Sequence, residues 1–282
     1  LRKKINEEIS IIRMIQNHNQ TKFYILPCFG ININRNNIVC LFPNFDGINL
    51  NTLLDTVFDP KFGSKSRNII LKYLIKEMII GLHLIHKRNI AHMNISPNSI
   101  LIETNDININ SSNERSVVKN SVSTTVPTNQ HIYIPYFEEK DKILQVKFTN
   151  FGNSIGKVVR TNINDVNLNN LNINEDGYIF YSNNKKMVID ILNKDYFISK
   201  YLRNKKRVSN SQLLKLGQLY DICCLGKIIL SIIIKQNVLN SNTSINEINP
   251  NHLIDDDFKE YFNFIKKYMI VSLGERKKLK FI

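Results

Sequence analysis

Two long apolar segments with helical spacing restrict most strongly how this chain can fold. The first, SRNIILKYLIKEMIIGLHLIHKRN (66–89), carries apolar residues around most of a helix, so it must be buried on most sides. The second, LLKLGQLYDICCLGKIILSIII (213–234), contains an apolar run that is too short to span a bilayer and includes Lys227. Both segments therefore predict core helices, and a chain of 282 residues is long enough to bury them.

The other periodic segments are shorter and mix helices with strands. Residues 4–16 repeat apolar side chains at helical spacing, and the acidic start of 255–270 suits a helix N-terminus. Short apolar runs predict strands at 25–31, 37–45, 89–92, 99–103 and 143–151, with a turn at 46–49. The sequence therefore predicts an α+β chain that is mainly helical towards its C-terminus.

Two polar regions interrupt this pattern. Residues 104–129 are rich in Ser, Thr and Asn, which is typical of a flexible insertion. A second polar region follows Gly152. Together they predict insertions at about 104–140 and 154–195.

The formal charge of +14 favours an anionic neighbour, such as nucleic acid, an acidic membrane face or a phosphoprotein. The Lys and Arg residues are scattered, however, and no run reaches the length of a basic binding tract. We interpret the scattered cations as leaving no stretch that interleaves aromatic residues with a basic run. We therefore expect protein partners, with no specific nucleic acid and no membrane span.

The four cysteines, Cys28, Cys40, Cys223 and Cys224, lack the paired CxxC spacing of a zinc site. They are typical of small buried side chains in a reducing compartment. An intracellular, cytoplasmic protein is therefore expected.

One polar loop and one short turn each lie next to a predicted strand. The loop HMNISPNS (92–99) runs into an apolar strand, and the turn NFG (150–152) follows a second strand. Protein kinases carry H-R-D-L-x-x-x-N and D-F-G at the corresponding places. The chain thus resembles a eukaryotic protein kinase, with the match starting at about the helix called αC.

Flanking segments extend this resemblance over nearly the whole chain. Glu8 stands where the αC glutamate of the family pairs with a strand lysine, although it would also suit the solvated face of a helix. FPNFDGINL (42–50) resembles the hinge between lobes, with Phe42 at the gatekeeper position. Asp221 resembles the aspartate that braces the catalytic loop from below.

Two further matches lie towards the C-terminus. FISKYL (197–202) stands in place of the A-P-E motif, with Lys200 and Tyr201 at its Pro and Glu positions. Arg276 corresponds to a late arginine of the family, and it would equally suit an ordinary surface position.

In both motifs, the polar residues at the positions that act in phosphotransfer differ from those of an active kinase. The resemblance puts Asn94 at the catalytic Asp, Ser96 at the Lys, Ser99 at the metal-binding Asn and Asn150 at the D-F-G Asp. An amide has no useful basicity, and neutral side chains lack the charge that Mg²⁺ requires. Phosphotransfer is therefore expected to be absent or strongly impaired, and Mg²⁺ binding is not expected.

The residues that hold a kinase together are retained; they are His92, Phe151, Gly152, Ile12, Pro97 and Asp221. His92, Phe151 and Ile12 match residues that stack through the kinase core, so His92 is expected to be structural. The resemblance implies a kinase-like α+β fold, with a partial N-terminal lobe at 1–45 and a helical C-terminal lobe at 46–282.

These matches predict a pseudokinase that serves as a scaffold or allosteric partner of other proteins, such as an active kinase or a signalling complex. The alternative is a divergent active Ser/Thr protein kinase that transfers phosphate from ATP to protein. A helical nucleic-acid-binding domain is a third hypothesis. Whether ATP binds stays open; the residues expected to line its pocket are Glu8, Phe42, Pro43, Asn44 and Phe45.

Overall fold

Seven α-helices supply most of the regular structure in the described part of the chain. The computed structural model describes residues 2–33, 38–45, 47–60, 62–103, 144–157, 178–180, 185–205, 207–234 and 252–270. The helices are α1 (Arg2–Gln16), α2 (Leu50–Val57), α3 (Ser64–Lys87), α4 (Lys185–Leu192), α5 (Tyr196–Arg203), α6 (Asn210–Ile233) and α7 (Lys259–Tyr268).

Eight short strands in the same residues form three small antiparallel sheets. The strands are β1 (Gly30–Ile33), β2 (Ile38–Leu41), β3 (Gly47–Asn49), β4 (Ile90–Ala91), β5 (Ile100–Glu103), β6 (Gln145–Phe148), β7 (Ile155–Lys157) and β8 (Tyr178–Phe180). Strand β1 pairs with β2, and the other sheets have the orders β3-β5-β6 and β4-β7-β8. The predicted α+β class is confirmed.

The sheets hold both ends of the loop 92–99. Strand β4 ends directly before the loop, where Ala91 pairs with Ile155. Strand β5 begins directly after it, where Ile100 pairs with Phe148. The two strands belong to different sheets, so the loop passes from one sheet to the other.

The helices α3 and α6 form the centre of the core, as their apolar sequences predict. Leu74 and Met78 of α3, and Leu225 and Ile229 of α6, are fully buried in one cluster. By length and composition alone α6 could cross a membrane, but 72% of its apolar window is buried inside the protein. That burial is what a core helix requires, and one such helix is weak evidence for a membrane span.

Helix α1 is fastened to the core near its C-terminus. The Gln16 side-chain amide donates to the Cys28 carbonyl (3.4 Å) and accepts from the Cys28 N–H (3.0 Å). In the 3₁₀ turn that follows α1 (Thr21–Tyr24), the Tyr24 hydroxyl donates to Glu77 Oε2 at 3.0 Å. Burial, reinforced by the Glu77 charge, raises the pKa of Tyr24, so this hydroxyl stays protonated.

Several boundaries differ from the sequence-based expectation. The predicted turn at 46–49 is wrong, because Gly47–Asn49 is strand β3 and pairs with β5. The first predicted strand, 25–31, is displaced, since regular pairing begins only at Gly30. The part of 154–195 that the structure describes is not simply a polar insertion, because it contains β7, β8 and α4.

Some predictions lie outside the described residues. They concern Arg276, the predicted insertion at 104–140, and residues 158–177 and 181–184 of the second polar region.

Candidate functional site

A fully buried carboxylate holds the start of the loop 92–99. Asp221 Oδ2 accepts the backbone N–H of His92 and Oδ1 accepts that of Met93, both at 2.7 Å. His86 Nε2 donates to Asp221 Oδ2 at 3.0 Å. These charge-assisted bonds offset the cost of burying the carboxylate, and they fix the loop backbone on α6.

Both ring nitrogens of His92 are engaged. Nε2 donates to the Thr149 carbonyl at 2.9 Å, so Nδ1 is the acceptor, and it receives the backbone N–H of Asn94 at 3.2 Å. Burial lowers the pKa of His92, which keeps the imidazole neutral. A neutral ring with both nitrogens occupied is a structural element and is not placed to act as a general base.

The His92 ring also packs against the NFG turn. Its centroid lies 4.5 Å from that of Phe151 and 6.1 Å from that of Phe148. Both phenylalanines are fully buried, and Ile12 of α1 belongs to the same core cluster. The three residues predicted to stack through the core are therefore buried in one region.

Ser96 and Ser99 close the loop on itself. Ser99 Oγ accepts the Ser96 N–H and donates to the Ser96 carbonyl, both at 2.9 Å, while Pro97 starts the intervening 3₁₀ turn. Ser99 is only 1% exposed. Its hydroxyl is therefore committed to the loop and faces away from solvent.

The NFG turn presents an exposed amide on a fixed backbone. Asn150 has φ 64°, a left-handed conformation that Asn tolerates better than most residues. Its side chain is exposed, whereas Phe151 is buried and Gly152 is half-buried within the 3₁₀ turn that follows. The backbone N–H of Thr149 donates to the Ser99 carbonyl at 2.9 Å, which joins this turn to the loop.

Glu8 of α1 reaches the same turn. Its half-buried carboxylate lies near the backbone of Phe151. Burial raises the pKa of Glu8, and the nearby Phe151 N–H opposes that rise by favouring the ionised form. Glu8 is therefore half-buried near the NFG turn and not on a fully solvated helix face.

Met93 locks the loop against α6 by apolar packing. It is 1% exposed although its φ of 63° is unfavourable for a residue of this shape. A Cβ at Gly217 would lie 2.8 Å from both Met93 Sδ and Ala91 Cβ, so only glycine lets α6 approach this closely. The close contact, together with the Asp221 bonds, stabilises the strained backbone.

The segment predicted to form the hinge, 42–45, is less buried than the loop 92–99. Phe42 is 40% exposed, and Pro43, Asn44 and Phe45 have no regular secondary structure. At Gly47 a Cβ would collide with the Ile102 carbonyl and the Phe45 ring, so glycine is required where this segment meets β5.

Sequence reasoning found the loop and the NFG turn but missed part of their support. His86, Met93, Thr149 and Ser154 were not singled out, and Ser154 Oγ donates to the His92 carbonyl at 3.0 Å from a fully buried position. In the sequence, Met93 could have been identified as part of the support because it directly follows His92. Among the residues that the structure describes, no group of three or more His, Cys, Asp or Glu side chains could hold a metal ion.

Comparison with known proteins finds no matching family model, and no curated protein matches the chain at a significant level.

Proposed function

We propose that the chain is a protein-kinase-like domain that retains the structural framework of a kinase and has lost phosphotransfer. It acts as a scaffold or allosteric partner of other proteins, such as an active kinase. The observation that carries this proposal is the contrast within one loop. Asp221 holds the backbone of His92 and Met93 at 2.7 Å, while the next side chain, Asn94, is a neutral amide.

The proton-accepting step lacks a base in this loop. A kinase uses a loop aspartate to accept the hydroxyl proton of its substrate. Asn94 stands at that position, and the amide cannot take up the proton at neutral pH. His92 is no substitute, because Nδ1 already accepts the Asn94 N–H and Nε2–H donates to Thr149.

The residues present do not fit the paired Mg²⁺ ions of a kinase. Mg²⁺ favours carboxylates in octahedral geometry, and it releases its bound water reluctantly. Ser99 Oγ is buried and bonded to Ser96, and Asn150 offers one neutral oxygen. Ser99 and Asn150 therefore do not supply the ligands that a pair of Mg²⁺ ions needs.

The alternative, a divergent active Ser/Thr kinase, is favoured by one observation. Glu8 brings a half-buried carboxylate against Phe151, next to Asn150. Because burial raises its pKa, this group could exchange a proton nearer to neutral pH than an ordinary glutamate. Phosphoryl transfer also depends largely on positioning, so activity without the loop aspartate is physically allowed.

A phosphotransfer assay separates the two functions. The purified full-length protein is incubated with labelled ATP, Mg²⁺ and a degenerate Ser/Thr peptide library, beside Glu8→Ala and Asn150→Ala variants. The proposal predicts the same background signal from all three proteins. Signal from the unaltered protein that either variant abolishes would establish the active kinase instead.

A further inference from the structure

Half of the net positive charge of the chain lies in one short stretch. Between residues 185 and 215, nine Lys and Arg residues stand against two Asp residues, a formal charge of +7 out of +14. Within it, YFISKYLRNKKR (196–207) interleaves three aromatic residues with five cations. The interpretation that no stretch combines the two is therefore wrong for this segment.

Helix α5 turns its apolar side inward and its charge outward. Ile198 and Leu202 are buried in a cluster that also contains residues of α6. Tyr196, Lys200 and Arg203 lie at i, i+4 and i+7 on the opposite face, and all three are exposed. The outward face of α5 is thus a row of one ring and two cations.

The acidic residue that directly precedes α5 caps the helix. Asp195 is buried at the N-cap of α5, where its carboxylate accepts the backbone N–H of Ile198 at 3.0 Å. Beyond the helix, exposed Lys205 and Arg207 continue the positive charge, and Lys205 Nζ lies 5.5 Å from the centroid of Tyr201. We define the α5 basic surface as Tyr196, Lys200, Arg203, Lys205 and Arg207.

The helix dipole explains only part of this surface. Cations in the last turn of a helix complement its negative end, which accounts for Lys200 and Arg203. It does not account for Lys205 and Arg207 beyond the helix, nor for Tyr196, which is 72% exposed at the other end. An exposed ring on the same helix face as two cations, with two more cations beyond the helix, is typical of a surface that binds an anionic partner.

We propose that the α5 basic surface binds an extended acidic peptide segment of a protein partner, with carboxylate or phosphate groups on alternate residues. Neighbours on one helix face are about 5–6 Å apart. Alternate side chains of an extended chain are about 6.6 Å apart and point the same way. An acidic segment laid along α5 can therefore place successive anions near Lys200, Arg203 and the cations that follow.

Other anionic partners fit this surface less well. A bilayer needs a broad exposed apolar face, but Ile198 and Leu202 point into the core. Single-stranded nucleic acid needs several stacking rings, whereas Phe197 and Tyr201 are half-buried. The inference extends the proposed function by naming a docking surface, and its binding test is independent of phosphotransfer.

The test measures fluorescence anisotropy of labelled probes with the full-length protein at two NaCl concentrations. The peptide probes have twelve residues: alternating Glu and Ser, alternating phosphoserine and Ala, and alternating Gln and Ser. The test variant is Lys200→Glu with Arg203→Glu. The matched control, Lys76→Glu with Lys267→Glu, makes the same charge change on exposed residues of α3 and α7.

We expect the two acidic peptides to bind, with the Gln peptide at background. The α5 variant should weaken binding by about tenfold or more, while the control stays within about twofold. The ratio of the two acidic peptides distinguishes carboxylate from phosphate recognition. Thermal unfolding midpoints for both variants verify that each is folded.

Three results would overturn the proposal. The first is no acidic-peptide binding, or equal loss in both double variants. The second is tighter binding of a twelve-residue uridine oligonucleotide that only the α5 variant loses, which would assign nucleic acid. The third is preferential binding of phosphatidylserine vesicles with the same variant dependence, which would assign a membrane surface.

Discussion

The loop 92–99 has two sides that differ in chemistry. On the inner side, the His92 and Met93 N–H groups reach the carboxylate of Asp221, and both ring nitrogens of His92 are bonded. On the outer side, Asn94 offers a half-buried neutral amide, and Asn150 of the neighbouring NFG turn offers an exposed one. The position of a loop and its chemistry can therefore be maintained separately, because different atoms carry them.

The largest effect should follow from removing the charge on the inner side. Asp221→Ala leaves two backbone N–H groups and the His86 ring without their acceptor in a fully buried place. We expect the free energy of unfolding to fall by about 3–5 kcal/mol, measured by urea denaturation. Asp257→Ala, which breaks an exposed pair with Lys72, is the control and should cost about 1 kcal/mol or less. Equal costs would contradict the account of the inner side, because the buried Asp221 would then stabilise the protein no more than an exposed pair does.

A smaller effect is expected where α6 touches the loop. Gly217→Ala places a methyl group 2.8 Å from Met93 Sδ and Ala91 Cβ, and we expect a loss of about 1–3 kcal/mol. Met93→Ala makes room, so the double variant should be more stable than the sum of the two single losses predicts. If the losses in the free energy of unfolding, measured by urea denaturation, are additive, residue 217 and Met93 are not in tight steric contact.

Replacing Ser99 tests whether its hydroxyl, which is hydrogen-bonded to Ser96, stabilises the loop. Ser99→Ala removes both hydroxyl bonds to Ser96, although the Ser96 carbonyl keeps the Ser99 backbone N–H, and it should cost about 1–2 kcal/mol. Ser96→Ala should cost less, because the Ser96 hydroxyl lies 3.5 Å from Ser99 Oγ, at the limit of hydrogen bonding. A larger loss for Ser96→Ala than for Ser99→Ala would contradict this hydrogen-bond assignment.

The smallest effect concerns Glu8 and depends on pH. Burial raises its pKa above the ordinary 4.5, so the folded state retains a proton that the unfolded state releases. Stability from this group therefore falls as the pH rises from about 4.5 through the raised pKa, and the loss stays constant above it. Glu8→Gln cannot ionise, so its stability relative to the unaltered protein should increase across that window. The thermal midpoints of Glu8→Gln and of the unaltered protein are compared at several pH values, and Glu260→Gln, at an exposed residue, is the control. A difference between the Glu8→Gln and unaltered midpoints that does not change with pH would contradict the raised pKa of Glu8.

Much of the framework could be predicted from the sequence, because burial leaves a periodic pattern. Helices α1, α3 and α6 follow from apolar spacing, and the strands on either side of the loop follow from short apolar runs. Strand β3 could not be predicted, since three residues carry no period and only pairing with β5 defines it. Helices α4 and α5 were hidden for a related reason, because each has eight residues within a polar, basic stretch.

The site was predictable in position and less so in detail. His92, Asn94, Ser99 and Asn150 were found because their order along the chain is distinctive. The positive φ of Met93 and the inward hydroxyl of Ser99 arise from contacts with residues that sequence order does not reveal. The charge on α5 was missed because scattered cations become a surface only when the helix faces are known.

Binding of ATP with and without Mg²⁺ tests the central claim most directly. The thermal midpoint of the full-length protein is measured with ATP in EDTA and with ATP in Mg²⁺, beside the Asn150→Ala variant. Neither Ser99 nor Asn150 is a suitable Mg²⁺ ligand. We therefore predict that the shift of the thermal midpoint caused by ATP differs by no more than about 1 °C with and without Mg²⁺, in either protein. A stabilisation that requires both ATP and Mg²⁺, and that Asn150→Ala removes, would contradict it.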